Sequence, residues 1–173
     1  GPLQDAIERC SVATFDYIKP GEASATSRRI RPLALVDYEA RWHVYGIDVE
    51  ADAERTFLLS RIVGQVKLAR ESFPADLRDG AGERALDGLR ELAARQRALL
   101  EVTPGTEAAL RLGRRAQPAD QGIHLPYVDL HVLADELASY GPEVRVVEPE
   151  ALRDAVILRL QAIIAAHEQD GAR

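Results

Sequence analysis

Two different rhythms of apolar and polar positions divide the chain. From Val12 to Ile18, aromatic and β-branched residues predict a strand, closed by Lys19-Pro20-Gly21 and a small polar loop over 22–27. A second strand is expected over Arg29–Tyr38 and a third over Arg41–Val49, where Trp42, Val44 and Gly46 alternate with His43, Tyr45 and Ile47. Acidic 50–54 makes a turn, and Arg55–Leu68 supplies one or two more strands. Strands this closely spaced, with no helix between them, predict a small antiparallel β-barrel or curled sheet over residues 12–70.

The rhythm then changes. Residues 71–97 read as a linker with a helix, whose stripe is Leu86, Leu89, Leu92 and Ala93. Gly80-x-Gly82-x-x-Ala85 has the letters of a dinucleotide loop, but no strand–loop–helix–strand unit surrounds it, and a linker entering a helix is the reading adopted. From 98 to 173, strands at Leu99–Val102, Ile123–Val128 and Val144–Val147 alternate with helices. Thr106 and Asp129 stand at N-caps and Pro149 at a helix start, while a further short strand is expected near Arg114–Ala116. Strand–helix alternation of this kind predicts a ferredoxin-like α/β sandwich with a terminal helix, and an α+β class for the whole. Residues 1–11 are read as a tag scar (Gly1-Pro2) and an interdomain segment, so that a domain is expected to be missing on the N-terminal side.

Composition narrows the function. The 173 residues are 46% hydrophobic and 29% charged, as in ordinary globular proteins. Apolar runs are too short to span a bilayer, and there is no secretion signal. Cys10 is the single cysteine, and the four histidines show no ligand spacing, so neither a disulfide nor a metal or other cofactor is expected, and the location expected is cytoplasmic. The net charge of −6 argues against a protein that coats nucleic acid indiscriminately. Yet residues 27–70 carry eight cations against six acids, whereas 71–173 carry 12 against 18. The excess of positive charge lies in the first module.

No nucleophile elbow, phosphate-cradling loop or zinc-protease motif occurs, so no enzyme activity is expected. The arginines are the feature that stands out. On one extended strand Arg55, Phe57, Leu59 and Arg61 share a face, so two guanidiniums flank an apolar pair. A half-buried strand tolerates that only if acids pair the arginines or an anion meets them. His43 and Tyr45, read as facing the same way from the neighbouring strand, would add stacking of the kind that holds single strands and nucleotides. Trp42 alone is assigned to the core, and Arg29, Arg31 and Arg41 to solvated surface or structural ion pairs.

Ser27-Arg28-Arg29-Ile30-Arg31-Pro32-Leu33, then Arg41-Trp42-His43-Val44, then Arg55-Thr56-Phe57-Leu58-Leu59-Ser60-Arg61-Ile62 resemble the successive blocks of a WYL domain, with histidine and valine in the second and third places of the name motif. Leu125-Pro126-Tyr127-Val128-Asp129, 139–144 and 147–153 resemble segments of the extension (WCX) that follows WYL domains. Within that family the chain looks closest to the PafB half of the actinobacterial PafB/PafC regulators. The resemblance implies an Sm/SH3-like barrel followed by the ferredoxin-like extension. It implies an effector-sensing region of a DNA-damage-response transcription activator that binds a nucleic-acid ligand such as single-stranded DNA. Carried over by position, the implied site is Ser27, Arg28, Trp42, His43, Arg55 and Arg61, to which the strand argument adds Tyr45. Implied partners are an N-terminal winged helix-turn-helix domain and a paired WYL regulator or second copy. Two other readings stand beside it: a dimerisation module without ligand, and a sensor of nucleotide second messengers.

Overall fold

The computed structural model describes residues 1–171, which form two compact units divided between Arg90 and Glu91. The first is built on β1 (Ser11–Tyr17), β2 (Thr26–Tyr38), β3 (Arg41–Asp48), β4 (Ala53–Leu58) and β5 (Ile62–Ser72). Their order is β4-β3-β2-β1-β5, each neighbour antiparallel. Pro32 is accommodated at a register shift between Pro32 and Ala34, where a missing amide proton costs no ladder bond.

Of the barrel and the curled sheet expected, these pairings close no barrel. β4 and β5 remain edge strands, joined by a single 3-10 turn over Leu59–Arg61. The sheet is strongly curled all the same. Tyr17 at the end of β1 accepts the amide proton of Leu58 on β4 at 3.1 Å, although β2 and β3 lie between them in the sheet order. Pro2–Arg9, placed by the sequence in a segment outside the sheet, form helix α1, which buries Leu3, Ala6 and Ile7. Leu3 and Ala6 join Ala13, Phe15, Tyr17, Ile30, Val44 and Phe57 in one core on the concave face. Phe15, Tyr17 and Phe57 meet edge to face, with centroids 5.1–6.3 Å apart.

Helix α2 (Ala81–Arg95) opens just after Gly80, whose φ of 68° only glycine adopts without strain. In the second unit β6 (Arg97–Val102), β7 (Gln117–Pro118), β8 (Ile123–Pro126) and β9 (Val144–Glu148) are ordered β7-β8-β6-β9, with α3 (Glu107–Gly113), α4 (Leu130–Ser139) and α5 (Glu150–Gly171) between and after them. Both expected caps form: the Thr106 hydroxyl accepts from Ala109 N–H, and the Asp129 carboxylate from His131 and Val132 N–H. The expected short strand falls slightly later than placed, at β7. Leu100, Leu112, Leu125, Leu137 and Leu152 fill this unit's core. The outer part of α5 leaves Leu158 and Ile164 exposed.

Candidate anion site on the concave face of the first sheet

Cross-strand register decides which side chains meet. Phe15 lies opposite Arg28, Ile30 opposite Asp48, and Gly46 opposite Arg55. Partners opposite one another point to the same side. Arg28, Asp48 and Arg55 therefore share the concave face with Phe15, Tyr17 and Phe57. Arg28 is the most enclosed of the arginines here, with 17% of its side chain exposed. Its guanidinium carbon lies 5.9 Å from the Phe57 ring centre and 6.0 Å from that of Tyr17, a cation–π arrangement on two faces.

One carboxylate serves two guanidiniums. Asp48 Oδ2 is 3.9 Å from Arg28 Nη1 and 3.7 Å from Arg55 Nε. Charge-assisted hydrogen bonds close to about 2.7–2.9 Å, so both contacts are attraction without a hydrogen bond. The carboxylate is held back by its other oxygen, which accepts from the Glu50 and Ala51 amides at 3.1 and 3.3 Å in the β3–β4 turn. Arg28 Nε is buried and has no hydrogen-bond partner. Leaving such a donor unsatisfied costs about 1–3 kcal/mol. The cluster thus combines an excess of one positive charge, a free buried donor and aromatic walls. Chemically it is a cradle for an oxyanion, whose oxygens suit guanidinium forks.

The remaining sequence-predicted residues lie elsewhere. Arg61 does not share a strand face with Arg55, because the chain leaves extended structure at Leu58; it closes the 3-10 turn, and its carbonyl accepts Ile18 N–H at 3.0 Å. His43 pairs with Leu58 and Tyr45 with Thr56, so both point away from Arg55, not with it. His43 is buried, its Nδ1 3.0 Å from the Arg41 carbonyl. Tyr45 is buried under Arg84, whose guanidinium carbon is 5.9 Å from its ring centre. Burial, and then a hydrogen bond with Glu54, push the Tyr45 hydroxyl's pKa up, so it stays neutral at physiological pH. Ser27 also turns to the far side, where its hydroxyl donates to Asp16 at 3.1 Å. Trp42, assigned to the core, is 52% exposed. It is six residues from Asp48, about 20 Å along an extended strand, with fully buried Val44 between.

Of the seven residues, the geometry brings together Arg28 and Arg55. Asp48, Tyr17 and Phe57 complete the cluster and were missed. Asp48 had read as part of the third strand, ahead of the acidic turn at 50–54, and one of its oxygens in fact serves that turn. Only the register could have shown where the other points.

Comparison with known proteins fits this arrangement. The WYL domain model matches residues 1–67, α1 included, and the WCX domain model matches 90–164. Protein PafB of Mycobacterium bovis is 32% identical over 171 residues, which are 94% of this chain. The chain is a WYL–WCX protein of the PafB type. PafB of Mycobacterium leprae is likewise 32% identical over 170 residues, 92% of this chain. These WYL–WCX relatives are longer: the chain spans about half of each, 52% and 51%. Among solved structures, proteasome accessory factor B/C (PafBC) of Arthrobacter aurescens is similar, at 31% identity and a TM-score of 0.56, over 92% of this chain and 26% of that one. A CRISPR Cas-related protein shares the fold alone, at 11% identity and a TM-score of 0.51 over 96% of this chain and 50% of that one.

Proposed function

We propose that this chain is the effector-sensing region of a bacterial transcription regulator of the DNA-damage-response type, binding a nucleic-acid ligand such as single-stranded DNA through phosphate contacts at Arg28 and Arg55. One observation carries the reading. Two guanidiniums stand against one carboxylate, and the more enclosed of them keeps a buried donor without an acceptor. An incoming phosphate supplies the missing acceptor and the missing charge. The WYL–WCX relationship supports the regulatory part, since PafB proteins match the chain end to end over nearly its whole length. The half of those relatives outside the match leaves room for a DNA-binding domain.

In this reading the region senses and does not catalyse. It works in the cytoplasm, and Arg61 joins the site only on the strength of resemblance. The curled five-stranded sheet corresponds to the Sm/SH3-like barrel. The β-α-β-β-α-β succession in the second unit, with β6 and β8 central, corresponds to the ferredoxin-like extension. Effector binding can shift the regulator between states only through a difference in affinity for them.

The test is titration of labelled oligothymidylate over a range of salt concentrations. Binding is expected to weaken steeply with salt, and Arg28→Ala or Arg55→Ala each to lower the salt slope by about one unit. No binding at low salt, or affinity indifferent to both substitutions, would rule the reading out.

A further inference from the structure

Asp48 is more than a structural partner of the two arginines. We propose that it is a built-in counter-anion that sets both how tightly the Arg28–Arg55 cradle binds phosphate and how strongly it favours the more highly charged phosphate; this rests on the anion-binding reading of the same site. The evidence is the way the carboxylate is held. Its Oδ1 is tethered by two backbone amides, while Oδ2 stands 3.9 and 3.7 Å from the guanidiniums, close enough for charge to act and too far to occupy their N–H groups. The side chain is 8% exposed, so solvent screens it weakly. In the unliganded protein the carboxylate offsets the repulsion between Arg28 and Arg55. Once a phosphate lies against the same guanidiniums, Asp48 becomes a like charge beside it.

Two arginines and one aspartate leave a single positive charge. A phosphodiester in the interior of a strand carries one negative charge and balances it. A terminal monoester carries about 1.5–2 negative charges at pH 7 and overshoots. Since the repulsion from Asp48 grows in proportion to ligand charge, the penalty is larger for the monoester. Asp48 therefore narrows the advantage that its extra charge would give a monoester at the two guanidiniums.

The experiment uses the whole chain with two probes, thymidine 5′-monophosphate and its methyl ester, which differ in charge and share the base. Asp48→Asn keeps an oxygen for the turn amides and removes only the charge. At low salt it is expected to tighten the methyl ester by about fivefold and the monophosphate by about 10- to 25-fold, its charge being about 1.5–2 times as large. Asp52→Asn controls for overall charge; it lies exposed in the same turn, at a φ of 49° that asparagine tolerates, and is expected to change neither affinity. A second readout is the ratio of the two affinities: at low salt the monophosphate is favoured less by the wild type than by Asp48→Asn, and the gap closes as salt rises. Equal gains for both probes, or no gain over Asp52→Asn, would overturn the role of Asp48 while leaving anion binding in place. If neither wild type nor Asp48→Asn binds either probe or oligothymidylate, both the inference and the reading beneath it fall.

Discussion

Gly46 lies in the middle of the cradle's central strand, opposite Arg55 on β4 and Pro32 on β2. A Cβ at this position would sit 2.4 Å from the Arg31 carbonyl oxygen and 3.1 Å from Pro32 Cα. Both are backbone atoms, so no side-chain rotation relieves the clash and β2 must separate from β3. Gly46→Ala is expected to destabilise the protein by about 1–3 kcal/mol, read from its urea midpoint, and to weaken oligothymidylate binding by shifting Asp48 relative to Arg28. An unchanged midpoint would show that the two strands are not held at this spacing. The same strand explains why only part of the site was legible. Arg55 stood out because arginine among apolar residues is unusual in any half-buried strand, whereas Arg28 came mainly from the resemblance. His43 and Trp42 were misplaced because β3 is covered on both faces from His43 to Gly46, which removes the alternation that normally separates core from surface. Trp42, one position earlier, lies beyond that cover.

At the scale of the element, the β2–β3 hairpin turns through Glu39 and Ala40 with φ of 53° and 60°. Two consecutive left-handed residues are the geometry of a type I′ turn, matched to the strands' twist but costly for residues with a Cβ. Ala40→Gly is expected to stabilise the protein by roughly 0.5–1 kcal/mol, seen as a higher urea midpoint with unchanged slope. A lower midpoint would mean that glycine's extra freedom in the unfolded chain outweighs the relieved strain. Elements specified by local chemistry were the readable ones. The Thr106 and Asp129 caps each satisfy amides two or three residues away, a relation visible in the letters themselves. The break after Leu58 was not readable, and with it went the shared face of Arg55 and Arg61. It coincides with non-local bonds: Ile18 N–H to the Arg61 carbonyl, and Leu58 N–H to the Tyr17 hydroxyl. A periodicity confined to residues 55–61 carries no trace of either.

At the scale of the molecule, every residue of the cradle belongs to Gly1–Arg90, and the two core clusters have no residue in common among those described. The proposed phosphate binding therefore belongs to the first unit, and a defect placed in the second unit's core tests that division. Leu125 on β8 is fully buried in that second core. Leu125→Ala removes three buried carbons and leaves a cavity, at an expected cost of about 2–5 kcal/mol in the second unit's stability, measured by circular dichroism in urea. Below the denaturant concentration at which that unit melts, affinity for oligothymidylate is expected to stay within about twofold of wild type, because Leu125 belongs to a core cluster that shares no described residue with the one beneath the cradle. A parallel loss of affinity would mean that phosphate binding draws on the second unit as well. In that case the WCX segment acts as part of the sensor, and the cradle at Arg28, Asp48 and Arg55 is only the portion of it that one sheet can build.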